Sequence, residues 1–306
     1  MKKYSLWTND VETTSIWFNQ LRKETGKKVL DEGLPKLLDL YDTFSIKSTF
    51  FITGYIARLF PKIVKLISER GHEIASHGMY HTNEYSFDIM PIDKQVFHLL
   101  ESKKILEDIS GEKVISFRAP ALRVCPITAN ALIESGFLID SSVASQRFDF
   151  FLSFGSITKF NWISSPRLPY HTSNNNIFKR GDSNLVEIPL SAFIFPYVGT
   201  FMRISPFLNN IIRYLLSRET IITGKPIVFD IHPNEFIDES NEPRVINRRS
   251  KSFLSYLLTD LFRSKLKVRN LGYQALNLYE DQLIHFQKLE FISMTLKDYC
   301  IAEGLL

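Results

Sequence analysis

Residues 48–77, STFFITGYIARLFPKIVKLISERGHEIASH, place one helical pattern between two strand patterns. Ser48 to Thr53 is a β-branched and aromatic run of the kind buried in a sheet, and Gly54 breaks it. Ile56, Leu59, Phe60, Ile63, Val64 and Ile67 then recur along one face of a helix that stops near Gly71. Glu73 to Ser76 reads as the next strand. Strand, helix and strand in that order imply a crossover connection and parallel pairing, in an open α/β sheet or a barrel.

The same rhythm extends in both directions. Upstream, Tyr4 to Trp7 is a short strand ending at Thr8-Asn9-Asp10, and Leu34, Leu37, Leu38 and Tyr41 recur at helical spacing. Downstream come a helix over 94–109, a strand over 113–117, a helix over 130–135 and a strand over 137–140. Residues 144–185 lack regular periodicity and carry Gly, Pro, Ser and Asn, which reads as a long insertion after the fifth strand. Regularity returns with a strand over 186–190, a helix over 208–216 and a strand over 226–231. Helices near 251–268 and 273–288 and a strand over 291–294 follow. Because the rhythm is the same on both sides of the insertion, one interrupted domain over 1–306 is expected.

Composition narrows the class. With 44% hydrophobic and 23% charged residues, chain-wide disorder is excluded. Two cysteines, Cys125 and Cys300, rule out a disulfide framework and favour a reducing compartment. A net charge of +4 is too small to argue for nucleic acid as a partner. The opening Met1 to Asp10 has too short an apolar run for a signal peptide, and no stretch approaches the roughly 18–20 apolar residues of a membrane span. A soluble, cytoplasmic chain is expected. Phe is overused, at 25 residues. Its cluster between 148 and 207 reads first as core.

In parallel α/β folds, reactive side chains gather at the carboxyl ends of strands. Here the first strand ends in Asp10-Val11-Glu12, the third in His77, the fourth in Arg118, the fifth in Asp140 and a later one in His232. His77 and His81 lie four apart, so a helical turn would put both imidazoles on one face, as a metal requires. Asp10 and Glu12 lie two apart and project to one side of an extended backbone. One carboxylate can complete a two-histidine, one-carboxylate metal site while the other remains free as a base. Taken singly, each piece has a plainer explanation. Asp-x-Glu after a strand is commonly a helix cap, Arg118 a structural ion pair, and Asp140-Ser141-Ser142 an N-cap. Their shared placement at strand ends favours catalysis.

Gly71-His72-Glu73-Ile74-Ala75-Ser76-His77-Gly78-Met79-Tyr80-His81 resembles the second motif of the NodB-like polysaccharide deacetylases, carbohydrate esterase family four. Phe117-Arg118-Ala119-Pro120 resembles their third motif, Asp140-Ser141-Ser142-Val143 their fourth, and Phe229 to Glu235 their fifth in a His-Pro-x-Glu form. The first motif departs from the usual adjacent aspartates, as Asp10-Val11-Glu12. The resemblance implies an α/β fold, a distorted (β/α) barrel with fewer strands than the regular eight. It also implies a metal-dependent N-deacetylase, an amidohydrolase. A divalent ion, zinc first, with cobalt, nickel, manganese or iron as alternatives, would be held by Glu12, His77 and His81. Asp10 would be the base, kept ionised by Arg118, and the backbone N–H of Ala121 would face the oxyanion. His232 would protonate the leaving amine, with Asp140 holding its tautomer.

The expected substrate is an N-acyl, chiefly N-acetyl, amino sugar. Without an export signal, a sugar nucleotide or a lipid-linked glycan precursor fits better than a mature wall polymer. A deformylase of a lipid-linked amino sugar and a non-sugar C–N hydrolase such as an allantoinase are alternatives within the superfamily. A catalytically silent glycan-binding or scaffold protein is the alternative of another class. Phe253, Leu254, Leu257, Leu258, Leu261 and Phe262 recur at helical spacing among Arg248, Arg249, Lys251, Arg263, Lys265, Lys267 and Arg269. That helix either packs on the barrel or rests on an anionic inner membrane face. The aromatic insertion, with Phe148, Phe150, Phe151, Phe154, Phe160 and Trp162, would then contact a lipid-linked substrate.

Overall fold

The structure, a computed structural model, describes residues 2–148, 157–243, 253 and 256–306. The strands of its main sheet are β1 (Tyr4–Val11), β2 (Thr49–Ile52), β3 (Glu73–Ser76), β4 (Ser116–Phe117), β5 (Ile139–Asp140), β6 (Tyr170–Ser173), β7 (Asn176–Arg180), β8 (Val186–Glu187), β9 (Ile227–Ile231) and β10 (Ile292–Ser293). Their order is β9-β1-β2-β3-β4-β5-β8-β6-β7, with β10 beside the start of β1. Strands β9, β1 to β5 and β8 pair in parallel. Just past β8, Ser191 donates its N–H to the Val228 carbonyl at 3.1 Å. The Ser191 hydroxyl accepts the Val228 N–H at 2.9 Å, which carries the ring round to β9. These seven strands, β9, β1 to β5 and β8, therefore curl into a distorted (β/α) barrel, one strand short of the regular eight.

The principal helices are α1 (Leu34–Thr43), α2 (Gly54–Leu59), α3 (Pro61–Glu69), α4 (Ile92–Ser110), α5 (Thr128–Glu134), α6 (Pro206–Thr223), α7 (Tyr273–Lys288) and α8 (Leu296–Ala302). The single helix expected between Ile56 and Ile67 is two, because Pro61 cannot supply the N–H that would continue α2. Along β1 every residue is buried, and the faces alternate. Trp7 packs against Phe229, Tyr279 and Phe286, and Asn9 accepts a hydrogen bond from Tyr41 of α1. Thr8 and Asp10 meet Arg118 instead. That period of two is what aims the Asp10 carboxylate at Arg118 in the barrel mouth.

The insertion is more regular than its composition suggests. Residues 170–180 form a hairpin, β6 and β7, whose turn is the Ser173-Asn174-Asn175-Asn176 patch. Strand β6 then pairs antiparallel with β8. Short-range periodicity missed it because Tyr170 and Thr172 are buried while their neighbours are half-exposed, over only four residues. The phenylalanine cluster is not simply core. Trp162 and Phe178 are buried, whereas Phe148, Phe160, Phe193 and Phe207 are exposed. Phe150, Phe151 and Phe154 lie outside the described residues.

Candidate active site

Five strand ends and their following turns converge at the mouth of the barrel. Arg118, fully buried at the end of β4, is the hub. Its Nη1 donates to Thr8 Oγ1 at 2.8 Å, to Asp10 Oδ1 at 3.1 Å and to Asp230 Oδ1 at 2.9 Å. Its Nε and Nη2 reach the carbonyl and hydroxyl of Ser141, both at 2.9 Å. The guanidinium also lies 4.3 Å from the Phe51 ring centroid. A charge this deep is tolerated because every side of it is paired.

Burial alone would raise the Asp10 pKa, but the positive groups around it, His77, Arg118 and His232, bring it down to about 2. His77 is itself held down to about 4 by burial, so near neutral pH the cations beside Asp10 are Arg118 and His232. Asp230 shares the same guanidinium yet is pushed up to about 7 by burial and by the Asp10 charge. Burial opposes the charged form of His232, but Asp230, Glu235 and Asp10 outweigh it and raise its pKa to about 10. An ionised carboxylate and a protonated imidazole thus face each other at neutral pH.

His77 and His81 do not share a helical turn. Residues 77–81 are loop, reversed at Gly78, whose φ of +67° is the left-handed region. The loop is fixed because the first N–H groups of α2, from Gly54 and Tyr55, donate to the Gly78 and Met79 carbonyls at 2.9 and 3.0 Å. The two imidazole centroids still come within 5.6 Å. His77 Nε2 lies 3.6 Å from Asp10 Oδ2, and His81 Nδ1 lies 3.1 Å from Glu12 Oε2. His77 Nδ1 bonds the Arg118 carbonyl at 2.8 Å, which fixes the ring and leaves Nε2 facing the mouth.

The donor set suits a divalent ion at Glu12, His77 and His81. Glu12 Oε2 and His77 Nε2 are both buried and make no hydrogen bond. Leaving such atoms orphaned is costly unless something binds them. Asp10, Asp230 and His232 converge more tightly, with one ligand atom from each within 4.8 Å of the others. That group already balances its charges through Arg118 and protonated His232, so an additional cation gains less there. A cleft of about 210 Å³ opens beside Glu12 and His81, lined also by Thr53, Tyr55, Tyr80 and Arg22.

One placement differs from expectation. Asp140 does not hold His232. Its carboxylate accepts the Ser142 hydroxyl and N–H at 2.6 and 3.3 Å and lies against Glu187. The partner of His232 Nδ1 is Glu235, at 3.2 Å, itself ion-paired with the buried Arg203. Ala121 lies on the exposed turn after Arg118, with φ of 54° and ψ of 21°. Asp230 and Glu235 carry weight that sequence reasoning did not assign. Asp230 was findable, since Asp230 and His232 stand two apart, as do Asp10 and Glu12.

Comparison with known proteins fits this geometry. Residues 18–138 match the family model described as polysaccharide deacetylase. A peptidoglycan deacetylase of Helicobacter pylori is 27% identical over 197 residues, covering 60% of this chain and 64% of that protein. A peptidoglycan-N-acetylglucosamine deacetylase of Bacillus cereus is 30% identical over 108 residues, covering 35% of this chain and 38% of that protein. The chain therefore spans less than two thirds of the length of these relatives. Among solved structures, a putative polysaccharide deacetylase from Mycobacterium smegmatis superposes with a TM-score of 0.53 at 18% identity, over 96% of this chain and 94% of that one. A 4-alpha-glucanotransferase from Thermococcus litoralis reaches 0.57 at 13% identity, over 98% of this chain and 40% of that one. Two such different names on one fold show that the superpositions speak for architecture alone. It is the sequence match over residues 18–138, with the motifs meeting at one barrel mouth, that makes the chain similar to the polysaccharide deacetylases.

Proposed function

We propose that the chain hydrolyses the N-acyl group, chiefly N-acetyl, of an amino sugar, using a divalent metal at Glu12, His77 and His81. The observation that carries this reading is the pairing of an ionised Asp10 with a protonated His232 beside two buried ligand atoms that make no hydrogen bond. When bound, such an ion, zinc by the choice of nitrogen and oxygen ligands, supplies polarisation of the acyl carbonyl and acidification of a water. Asp10 takes the proton from the attacking water, and Arg118 holds that carboxylate in place and ionised before the step. His232 delivers a proton to the departing amine nitrogen. Glu235 orients its ring through Nδ1, and Asp230 supports its charge. The backbone N–H of Ala121 would face the developing oxyanion. Amine release from N-acetyl and N-formyl sugar nucleotides and from polyprenyl-linked sugars, after zinc loading, tests the reading. Product from none of them, with the metal bound, would overturn it.

Within that reading, a lipid-linked substrate at the inner membrane face is the finer proposal. Phe253, Leu257 and Phe262 are exposed instead of packing on the barrel, and Lys265 and Arg269 are exposed nearby. Arg248, Arg249, Lys251 and Leu254 lie outside the described residues. No helix among the described residues is long and apolar enough to cross a membrane. Each basic group near an anionic surface contributes about 1 kcal/mol. Salt-sensitive sedimentation with anionic liposomes, lost in a Lys265→Glu, Arg269→Glu variant, would support this proposal. No binding at low salt would move the assignment to a soluble sugar nucleotide.

A further inference from the structure

The barrel mouth holds a second pair of buried carboxyls that the proposed chemistry does not use. Asp140 ends β5, Glu187 ends β8, and the two are register partners across the parallel pair. Both are fully buried. Glu187 Oε1 accepts the Val143 N–H at 3.0 Å, while Glu187 Oε2 meets no N–H or hydroxyl donor. The Asp140 carboxyl lies against it in hydrogen-bonding contact. Two ionised carboxylates offer only acceptors, so this contact is a bond only when one of them carries a proton. Burial, and then the neighbouring Asp140, push Glu187 well above the usual carboxylate range, which agrees with that count.

The pair supports the hub of the site through the segment between its members. The Ser142 hydroxyl donates to Asp140 and accepts the Ala119 N–H at 2.9 Å. Ser141 takes two bonds from Arg118 and passes its hydroxyl proton to the Ile188 carbonyl at 2.9 Å. Beyond Ala119 the chain enters the turn in which Ala121 and Leu122 both have φ of 54°. Two consecutive left-handed residues that are not glycine persist only where their surroundings hold them, at about 1–3 kcal/mol each.

We infer that Glu187, sharing one proton with Asp140, is a positioning residue that locks the Asp140–Val143 segment, and through it both Arg118 and the turn at Ala121. Its catalytic consequence rests on the proposed hydrolase reading, whereas its structural consequence does not. The test compares Glu187→Ala, Glu187→Gln and Ser142→Ala in the full chain by residue-resolved hydrogen exchange and by steady-state amine release. Glu187→Ala should speed exchange of the Ala119, Leu122 and Arg123 amides by about tenfold or more, since local opening governs their protection. It should lower kcat on the order of 10²-fold, the cost of a displacement near 1 Å, with KM and zinc affinity within about threefold. The glutamine of Glu187→Gln can donate to Asp140 and accept from Val143, so it should restore both readouts to within about threefold of the parent. If Glu187→Ala does not fold, Ser142→Ala carries the same exchange prediction at the Ala119 link. Unchanged exchange in every folded variant, or a glutamine no better than alanine, would overturn the inference. Absence of turnover in the zinc-loaded parent would overturn the hydrolase reading, while the exchange pattern would still decide whether the pair holds the turn.

Discussion

Two pairs of buried carboxyls stand at the same barrel mouth, and one cation separates their chemistry. Asp10 and Asp230, from β1 and β9, both bond Arg118 Nη1, and the pair splits to pKa values of about 2 and about 7. Asp140 and Glu187, from β5 and β8, accept no hydrogen bond from a guanidinium among the described residues, and both are raised. Residue type and depth are alike. What differs is where Arg118 points, and Ser141 and Thr8 decide that. The first pair yields an ionised carboxylate, and the second is a proton-sharing brace.

Removing the cation breaks the contrast most severely. Arg118→Met should leave two unpaired buried carboxyls and cost about 3–5 kcal/mol of stability, measured by urea unfolding. A loss under about 1 kcal/mol would mean that Arg118 does not compensate both charges. Next in size, Asp10→Asn should keep bound zinc but slow amine release by roughly 10²-fold or more, and His232→Ala should act similarly. Near-parent rates in both variants would show that other groups move the protons.

A smaller effect separates the pairs by pH. Asp140 and Glu187 have folded-state pKa values above their ordinary 3.8 and 4.5, so the folded chain binds an extra proton there. Their contribution is present in full below about pH 4 and is lost as pH rises through the raised pKa. Asp10 runs the other way. Depressed to about 2, it contributes above its ordinary 3.8 and loses that contribution as pH falls through 2. Glu187→Gln should therefore flatten the decline in unfolding free energy as pH rises above about 4 and leave the acid limb unchanged. An identical slope in parent and variant would contradict the shared proton.

Much of this site was legible because strand ends are legible. β1, β2, β3 and β9 are apolar runs that stop at a polar residue, and Asp10, Glu12, His77 and His232 stand at those stops. Spacing failed where the backbone turns sharply. His77 and His81 meet through a left-handed Gly78, not through helical periodicity. The partner of His232 was misassigned to Asp140 because pairing across the barrel depends on strand order. The adjacent capping residue Glu235, three positions on, takes that place. Glu187 gave no signal at all, since its strand has two residues and its partner lies 47 positions away across the insertion.

The central claim is that the metal belongs to Glu12, His77 and His81 and not to the tighter Asp10, Asp230 and His232 group. Calorimetric zinc titration of the parent, His77→Ala and Asp230→Asn chains tests it directly. The parent should bind one equivalent, His77→Ala should lose that binding, and Asp230→Asn should keep it with affinity within about tenfold, since only a first ligand cannot be replaced. Retention in His77→Ala together with loss in Asp230→Asn would place the ion on the other group and contradict the account.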